Sequence, residues 1–178
     1  MTTTRVLAGR AAALALAVFA GCLLVGCASL SVSHLESRPF PAGSSTTLAM
    51  KFWRFEFTGR AADNAYVIRG RALPVADDLP PWVDRLEELT LSAYLRDPAG
   101  KVLASVERTY KGMSLADGAA VPFEFSLSPA GDAAGNYAIS FGYKAVYGSQ
   151  KVRTALDAKG PPPAGAVFFA GEGAVLKN

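Results

Sequence analysis

From Leu48 onward, apolar side chains recur at every second position, and no stretch of ten residues carries a helical period. Period two puts alternate side chains on opposite faces of a pleated strand, so the pattern restricts this part of the chain to half-buried strands. In residues 51–58, Trp53, Phe55 and Phe57 point one way and Phe52, Arg54 and Glu56 the other. Residues 65–74 set Tyr66, Ile68 and Ala72 against Val67, Arg69 and Arg71, with Gly70 as a candidate bulge. Leu89, Leu91, Ala93 and Leu95 alternate with Thr90, Ser92, Tyr94 and Arg96, and Val102, Ala104 and Val106 return against Leu103, Ser105 and Glu107. Between them, Asp97-Pro98-Ala99-Gly100 has the chemistry of a type I turn, so the unit is a hairpin. Val121, Phe123, Phe125 and Leu127 share one face of a further strand, and Tyr137, Ile139, Phe141, Tyr143 and Ala145 share one face of the next. Residues 82–88 read as a short helical turn or as entry to a strand, and residues 111–120 as a polar loop. Residues 166–170 are apolar on both sides, which suits a central buried strand; at a sheet edge the same run would be a pairing site. The expectation is all-β: an antiparallel sandwich of about seven strands over residues 48–178.

The N-terminal side is of another kind. Arg5 and Arg10 are followed by residues 11–35, which hold no Asp, Glu, Lys or Arg. A basic start, an apolar centre and an exit through small residues is the plan of a secretory signal peptide. The run includes Leu24-Val25-Gly26-Cys27, which resembles the lipobox of bacterial lipoproteins. That resemblance implies cleavage after Gly26 and a diacylglycerol thioether on Cys27. Two alternatives stay open. One is an uncleaved membrane helix, since the uncharged run exceeds about 18 residues. The other is cleavage at Cys22 after Phe19-Ala20-Gly21, although Leu24 suits the pattern better than Phe19. A lipoprotein cysteine carries two or three acyl chains; at about 0.8 kcal/mol per buried methylene, such an anchor is effectively permanent. Ala28 stands where an Asp would resemble an inner-membrane retention signal, which favours the outer membrane, periplasmic side, if the source is Gram-negative.

Composition narrows the rest. Residues 1–26 read as the signal peptide, 27–47 as the lipidated cysteine and a flexible tether, and 48–178 as the sandwich. The tether reading rests on eight Ser and Thr residues interleaved with Pro39, Pro41 and Gly43, too polar a mixture to bury much surface. Such a coil would span roughly 25 Å. Removing the leader leaves 152 residues, enough for one domain, and lowers the net charge from +3 to +1. Nothing in that balance calls for nucleic acid. Both cysteines lie at or before position 27, so the folded part has no disulfide and must hold itself by burying apolar surface.

Several stretches together carry a second resemblance. They are Tyr66-Val67-Ile68-Arg69-Gly70, Asp97-Pro98-Ala99-Gly100-Lys101-Val102, Pro122-Phe123-Glu124-Phe125 and Asn136-Tyr137. Their order resembles small immunoglobulin-like domains of bacterial envelope proteins and is similar to FxLYD and WHy-type sandwiches over about residues 48–147. The Cys…Trp…Cys pattern of antibody domains is missing. The resemblance implies an immunoglobulin-like architecture and no catalytic residue.

From Leu48 on there is no Cys and no His, which excludes Ser-His-Asp, Cys-His and His- or Cys-ligated zinc chemistry as usually built. Asp77, Asp78, Asp84, Glu87 and Glu88 lie around Trp82, and a glycosidase needs two carboxylates beside an aromatic platform; a solvated loop edge explains them more simply. No metal and no cofactor is expected. The aromatic residues read first as core, with Phe52 out of phase. Phe52, Trp82 and Tyr94 are the candidate ligand or partner contacts. The function expected is a non-enzymatic binding or accessory module, held to a membrane through Cys27 and serving an envelope protein partner. The alternative is a carrier of lipid or another apolar ligand in a cleft between the sheets.

Overall fold

The computed structural model describes residues 29–116, 119–129, 135–150 and 167–177. Eleven strands appear among them. In chain order they begin with β1 (Ser29–Ser31), β2 (Arg38–Pro39), β3 (Ser45–Ala49), β4 (Trp53–Ala62) and β5 (Ala65–Pro74). After a 3-10 turn at Ala76–Asp78 come β6 (Arg85–Arg96), β7 (Val102–Ser114) and β8 (Val121–Leu127). The last are β9 (Ala138–Gly148), β10 (Phe168–Glu172) and β11 (Val175–Lys177).

A four-stranded sheet runs β3-β4-β5-β8, and a second, five-stranded sheet runs β10-β9-β6-β7 with β2 also on β9. Within these, β4-β5-β8 and β10-β9-β6-β7 follow the A-B-E and G-F-C-C′ orders of an immunoglobulin-like sandwich. Neighbouring strands within both sheets pair antiparallel. The fold class expected from period two is therefore the one observed, with more strands than seven.

The two inner faces meet through aromatic rings. Phe141 of β9 stacks on Phe55 of β4 at 4.4 Å and 7°, and meets Phe57 edge-on at 5.0 Å and Phe123 of β8 at 5.5 Å. Trp53, Phe55, Ile68, Leu91, Ile139 and Tyr147 are among the residues fully buried around them. Rings fill the centre between the sheets, where a carrier would need room.

Burial also holds tyrosines in their neutral form. The Tyr147 hydroxyl is pushed well above its ordinary range by burial; Tyr143 is pushed up by burial first and then by the Glu172 carboxylate beside it. A folded-state pKa raised above the unfolded value of 10.0 favours folding fully below that value. The stability is lost as pH rises through and beyond it. Phenolate absorbance should accordingly show Tyr143 and Tyr147 among the tyrosines that ionise only as the protein unfolds, whereas in guanidinium chloride all titrate at about pH 10. A smooth titration of every tyrosine in the folded protein would contradict the packing.

Local turn chemistry is realised at the β6–β7 hairpin. Asp97 accepts at its carbonyl from Gly100 N–H (2.9 Å) and at Oδ1 from Lys101 N–H (2.8 Å), and Gly100 takes φ +85°.

Four expectations need correction. Residues 29–47 are part of the fold rather than a tether: β2 pairs with β9, β3 pairs with β4, and Val32 and Leu35 are buried against Tyr94. Such additions need backbone hydrogen bonds to an existing edge and few apolar residues, so composition does not reveal them. Gly70 is no bulge. Its pairing with Phe57 and Phe123 is in continuous register, and it is a point of close approach, where a Cβ would run into the Glu56 carbonyl and come within 2.9 Å of the Phe123 ring. Register shifts lie in β6 instead, between Leu86 and Glu88 against β9 and between Leu95 and Arg96 against β7. Residues 111–114 continue β7 instead of looping. The terminal apolar run holds β10, which is an edge strand, with Phe169 72% exposed.

The outer faces differ in kind. On the first sheet, Arg69 grips Glu124 with two contacts of 2.9 and 3.0 Å, and Glu56 pairs with Arg71 at 2.8 Å. The Arg69 hydrogen bond holds the Glu124 carboxyl below its ordinary range. On the second sheet the outward positions include the small or hydroxylic Thr90, Ser92, Ser140 and Gly142 beside Tyr94, Glu107 and Lys144.

Candidate binding groove

The register of the second sheet sets Ser92 of β6 between Glu107 of β7 and Gly142 of β9. Ser92 donates its hydroxyl proton to Glu107 Oε2 at 3.1 Å, and Lys144 Nζ stands 4.0 Å from the same oxygen. Both charged groups are largely in water, so the pair is weak and open to exchange with an incoming partner.

After β10 the chain turns onto this outer face. It passes over Gly142, where a Cβ would lie 2.9 Å from the Glu172 carbonyl oxygen and 3.1 Å from Gly173 Cα. Only glycine allows that crossing. Ala174 then donates its N–H to the Tyr94 hydroxyl oxygen at 3.3 Å, and the Tyr143 hydroxyl donates to Glu172 Oε1 at 3.2 Å. Because burial and the Glu172 charge keep Tyr143 protonated, it remains a donor at any ordinary pH.

The result is a groove of about 550 Å³ between the crossing segment and the sheet. Ser92, Tyr94, Glu107 and Lys144 give it a polar lining, and Leu30 and Val175 contribute exposed apolar surface. Donors, an acceptor and apolar surface in one open depression suit a polypeptide segment, which presents the same mixture.

The residues singled out from sequence are dispersed. Phe52 sits in the core and meets Phe168 edge-on at 5.5 Å, so it is not a surface contact. It precedes β4, and the alternation that made it look outward begins only at Trp53. Trp82 is half-buried in the turn before β6. Tyr94 is nearly buried as well, yet it lines the groove. The lipobox residues Leu24, Val25, Gly26 and Cys27 lie outside the described residues.

Two of the acids around Trp82, Asp84 and Glu87, serve local structure. Asp84 accepts from Gln150 N–H at 2.7 Å and from the Ser149 hydroxyl at 3.2 Å, and Glu87 lies 3.3 Å from Arg85 Nε. Among the described residues no three His, Cys, Asp or Glu side chains come together as a metal-ligand set, and no helix is long and apolar enough to cross a membrane. A second hollow of about 560 Å³ lies beside Phe40, Tyr66 and Tyr137, whose rings meet edge-on at 5.0 Å in both pairs.

Tyr94 is the groove residue that the sequence reading singled out; Leu30, Ser92, Glu107, Gly142, Lys144 and Val175 were passed over. One signal was available: a glycine between Phe141 and Tyr143, in the middle of a strand, points to close approach on the outward face. No protein-family model, no curated protein and no solved structure matches the chain.

Proposed function

We propose that this protein is a lipid-anchored, non-enzymatic module of the bacterial cell envelope that binds a protein partner through the groove on its second sheet. The observation that carries the reading is the convergence of Ser92, Tyr94, Glu107 and Lys144 with exposed Leu30 and Val175 in one depression. Single exposed apolar residues need no explanation, but apolar surface gathered at a polar-lined groove is the composition of an interaction site. The anchor rests on Leu24-Val25-Gly26-Cys27 and the uncharged run that contains it. Cys27 would then fix the module to a membrane, the outer membrane on its periplasmic side in a Gram-negative source, and leave the sandwich free to meet a neighbouring envelope protein.

The test is a pull-down from membranes of the native host, using the full chain and a Lys144→Glu/Val175→Asp variant. Both substitutions fall at exposed positions of the groove, so the sandwich is expected to persist. A protein partner captured by the wild type and reduced at least about tenfold in the variant, a loss of about 1.4 kcal/mol, supports the reading. Equal capture by both sinks it.

A further inference from the structure

Strand β10 closes one edge of the second sheet. It pairs with β9 from Phe168↔Tyr147 to Glu172↔Tyr143, and no other described strand lies along its far side. Native edges are usually guarded by a charge, a proline or a bulge. Here β10 has no proline and pairs with β9 in unbroken register, and its one charge, Glu172, stands at the strand's end, where its carboxylate accepts from the Tyr143 hydroxyl of β9 at 3.2 Å.

The strand also has a shape of its own. Phe169 and Gly171 are two residues apart and therefore lie on the same, outward face. Phe169 projects, being 72% exposed. Gly171 leaves a gap beside its cross-strand neighbour Lys144, part of a hollow of about 420 Å³ that Val146 and Phe169 also line. A projection and a gap at this spacing are complementary under one operation: antiparallel pairing with an identical strand about a two-fold axis at Ala170.

We propose that a second copy of this chain docks there, β10 against β10, so that each Phe169 ring lies opposite the other copy's Gly171 and beside its Lys144. The ring covers the bare glycine backbone and meets the ammonium group. Such an isologous contact closes on itself, joins the two second sheets into one continuous sheet and uses up the β10 edge of both copies. With only five residues of each copy paired along the edge, the dimer is weak and depends on concentration. This inference does not rest on the groove's having a partner.

The test places a cysteine on the axis. Antiparallel partners stand about 4.5–5.5 Å apart at Cα, within disulfide reach. The protein carrying Ala170→Cys, oxidised in membranes and run without reductant, should give a disulfide dimer well above the baseline of the wild-type protein treated in the same way. Lys101→Cys, in the β6–β7 turn, should stay at that baseline. Adding Phe169→Lys to Ala170→Cys should lower the dimer about tenfold, a change of about 1.4 kcal/mol. Ala170→Cys no more dimeric than Lys101→Cys, or linked instead to a protein of another size, overturns the proposal. Sedimentation of the detergent-solubilised chain without new cysteines guards against misfolding of the cysteine variant. A concentration-dependent dimer that Phe169→Lys abolishes, with an unchanged melting temperature, supports self-pairing; a wild-type monomer at every concentration overturns it.

Discussion

Replacing Phe141 with alanine is expected to cost about 3–5 kcal/mol of folding stability, the range for deleting a fully buried aromatic side chain. Phe141 is fully buried and is the ring shared by both sheets, stacked on Phe55 at 4.4 Å and in contact with Phe57 and Phe123. Removing it strips three rings of a neighbour at once. The surrounding strands cannot close the gap, because β9 is held between β6 on one side and β10 and β2 on the other. Domains of this size are stable by only about 5–15 kcal/mol, so the variant should lie near the limit of folding. Urea denaturation followed by tryptophan fluorescence checks this directly, with Trp53 in the same core as a reporter. A loss below about 1 kcal/mol would mean that the sheets are not packed through this ring.

Gly70→Val should be about as damaging, although valine is a better strand former than glycine. Gly70 lies in the middle of β5 with Phe57 on one side and Phe123 on the other. A Cβ there would meet the Glu56 carbonyl, Phe57 Cβ at 2.8 Å and the Phe123 ring at 2.9 Å. The Phe123 ring could turn aside, but the Glu56 carbonyl is main chain inside a hydrogen-bonded ladder and cannot. The cost is expected at the upper end of overpacking effects, about 3 kcal/mol or more, read as a lower denaturation midpoint. The same substitution at Gly43, where no heavy atom approaches within 4 Å, meets no clash and is opposed only by its φ of +79°. A Gly70→Val protein as stable as wild type would contradict the close approach of β4 and β8 to β5.

These two positions also mark what was legible in the sequence. Phe141 was: inward alternation of Tyr137, Ile139, Phe141, Tyr143 and Ala145 is a local signal, and each of these residues is buried. So was the Asp97–Gly100 turn, because its hydrogen bonds stay within five residues. Gly70 was visible as an exception but not for its reason. A glycine inside a strand pattern marks either a bulge or a close approach, and only the packing partners decide between them. Strands β2 and β3 were hidden because they join existing edges through their backbones, and backbone hydrogen bonds leave no mark on composition. The terminal run 166–170 was ambiguous from the start, since apolar residues on both sides suit a central strand and an unguarded edge equally.

The groove was the least legible part. Its lining comes from outward positions on β6, β7 and β9, which an apolar-polar pattern assigns to solvent without distinction. Ser92 and Glu107 are 15 residues apart, and Tyr94 meets Ala174 across 80. A sequence read for alternation cannot tell that a later segment will fold back over these positions. Tyr94 was named as a contact, yet its surroundings, a small cluster with Val32 and Leu35, belong to a stretch that composition had set outside the fold.

The central claim is that this sandwich works at a membrane through a lipidated Cys27, and the most direct measurement is the intact mass of the mature protein from its native host. Membranes would be separated from soluble fractions, the protein extracted in detergent, and its mass taken together with that of the N-terminal peptide. The account predicts a chain beginning at Cys27, found in the membrane fraction and heavier than its sequence by a diacylglycerol group with or without a third acyl chain. A chain that keeps residues 1–26, begins at Cys22, or begins at Cys27 without added mass would contradict it.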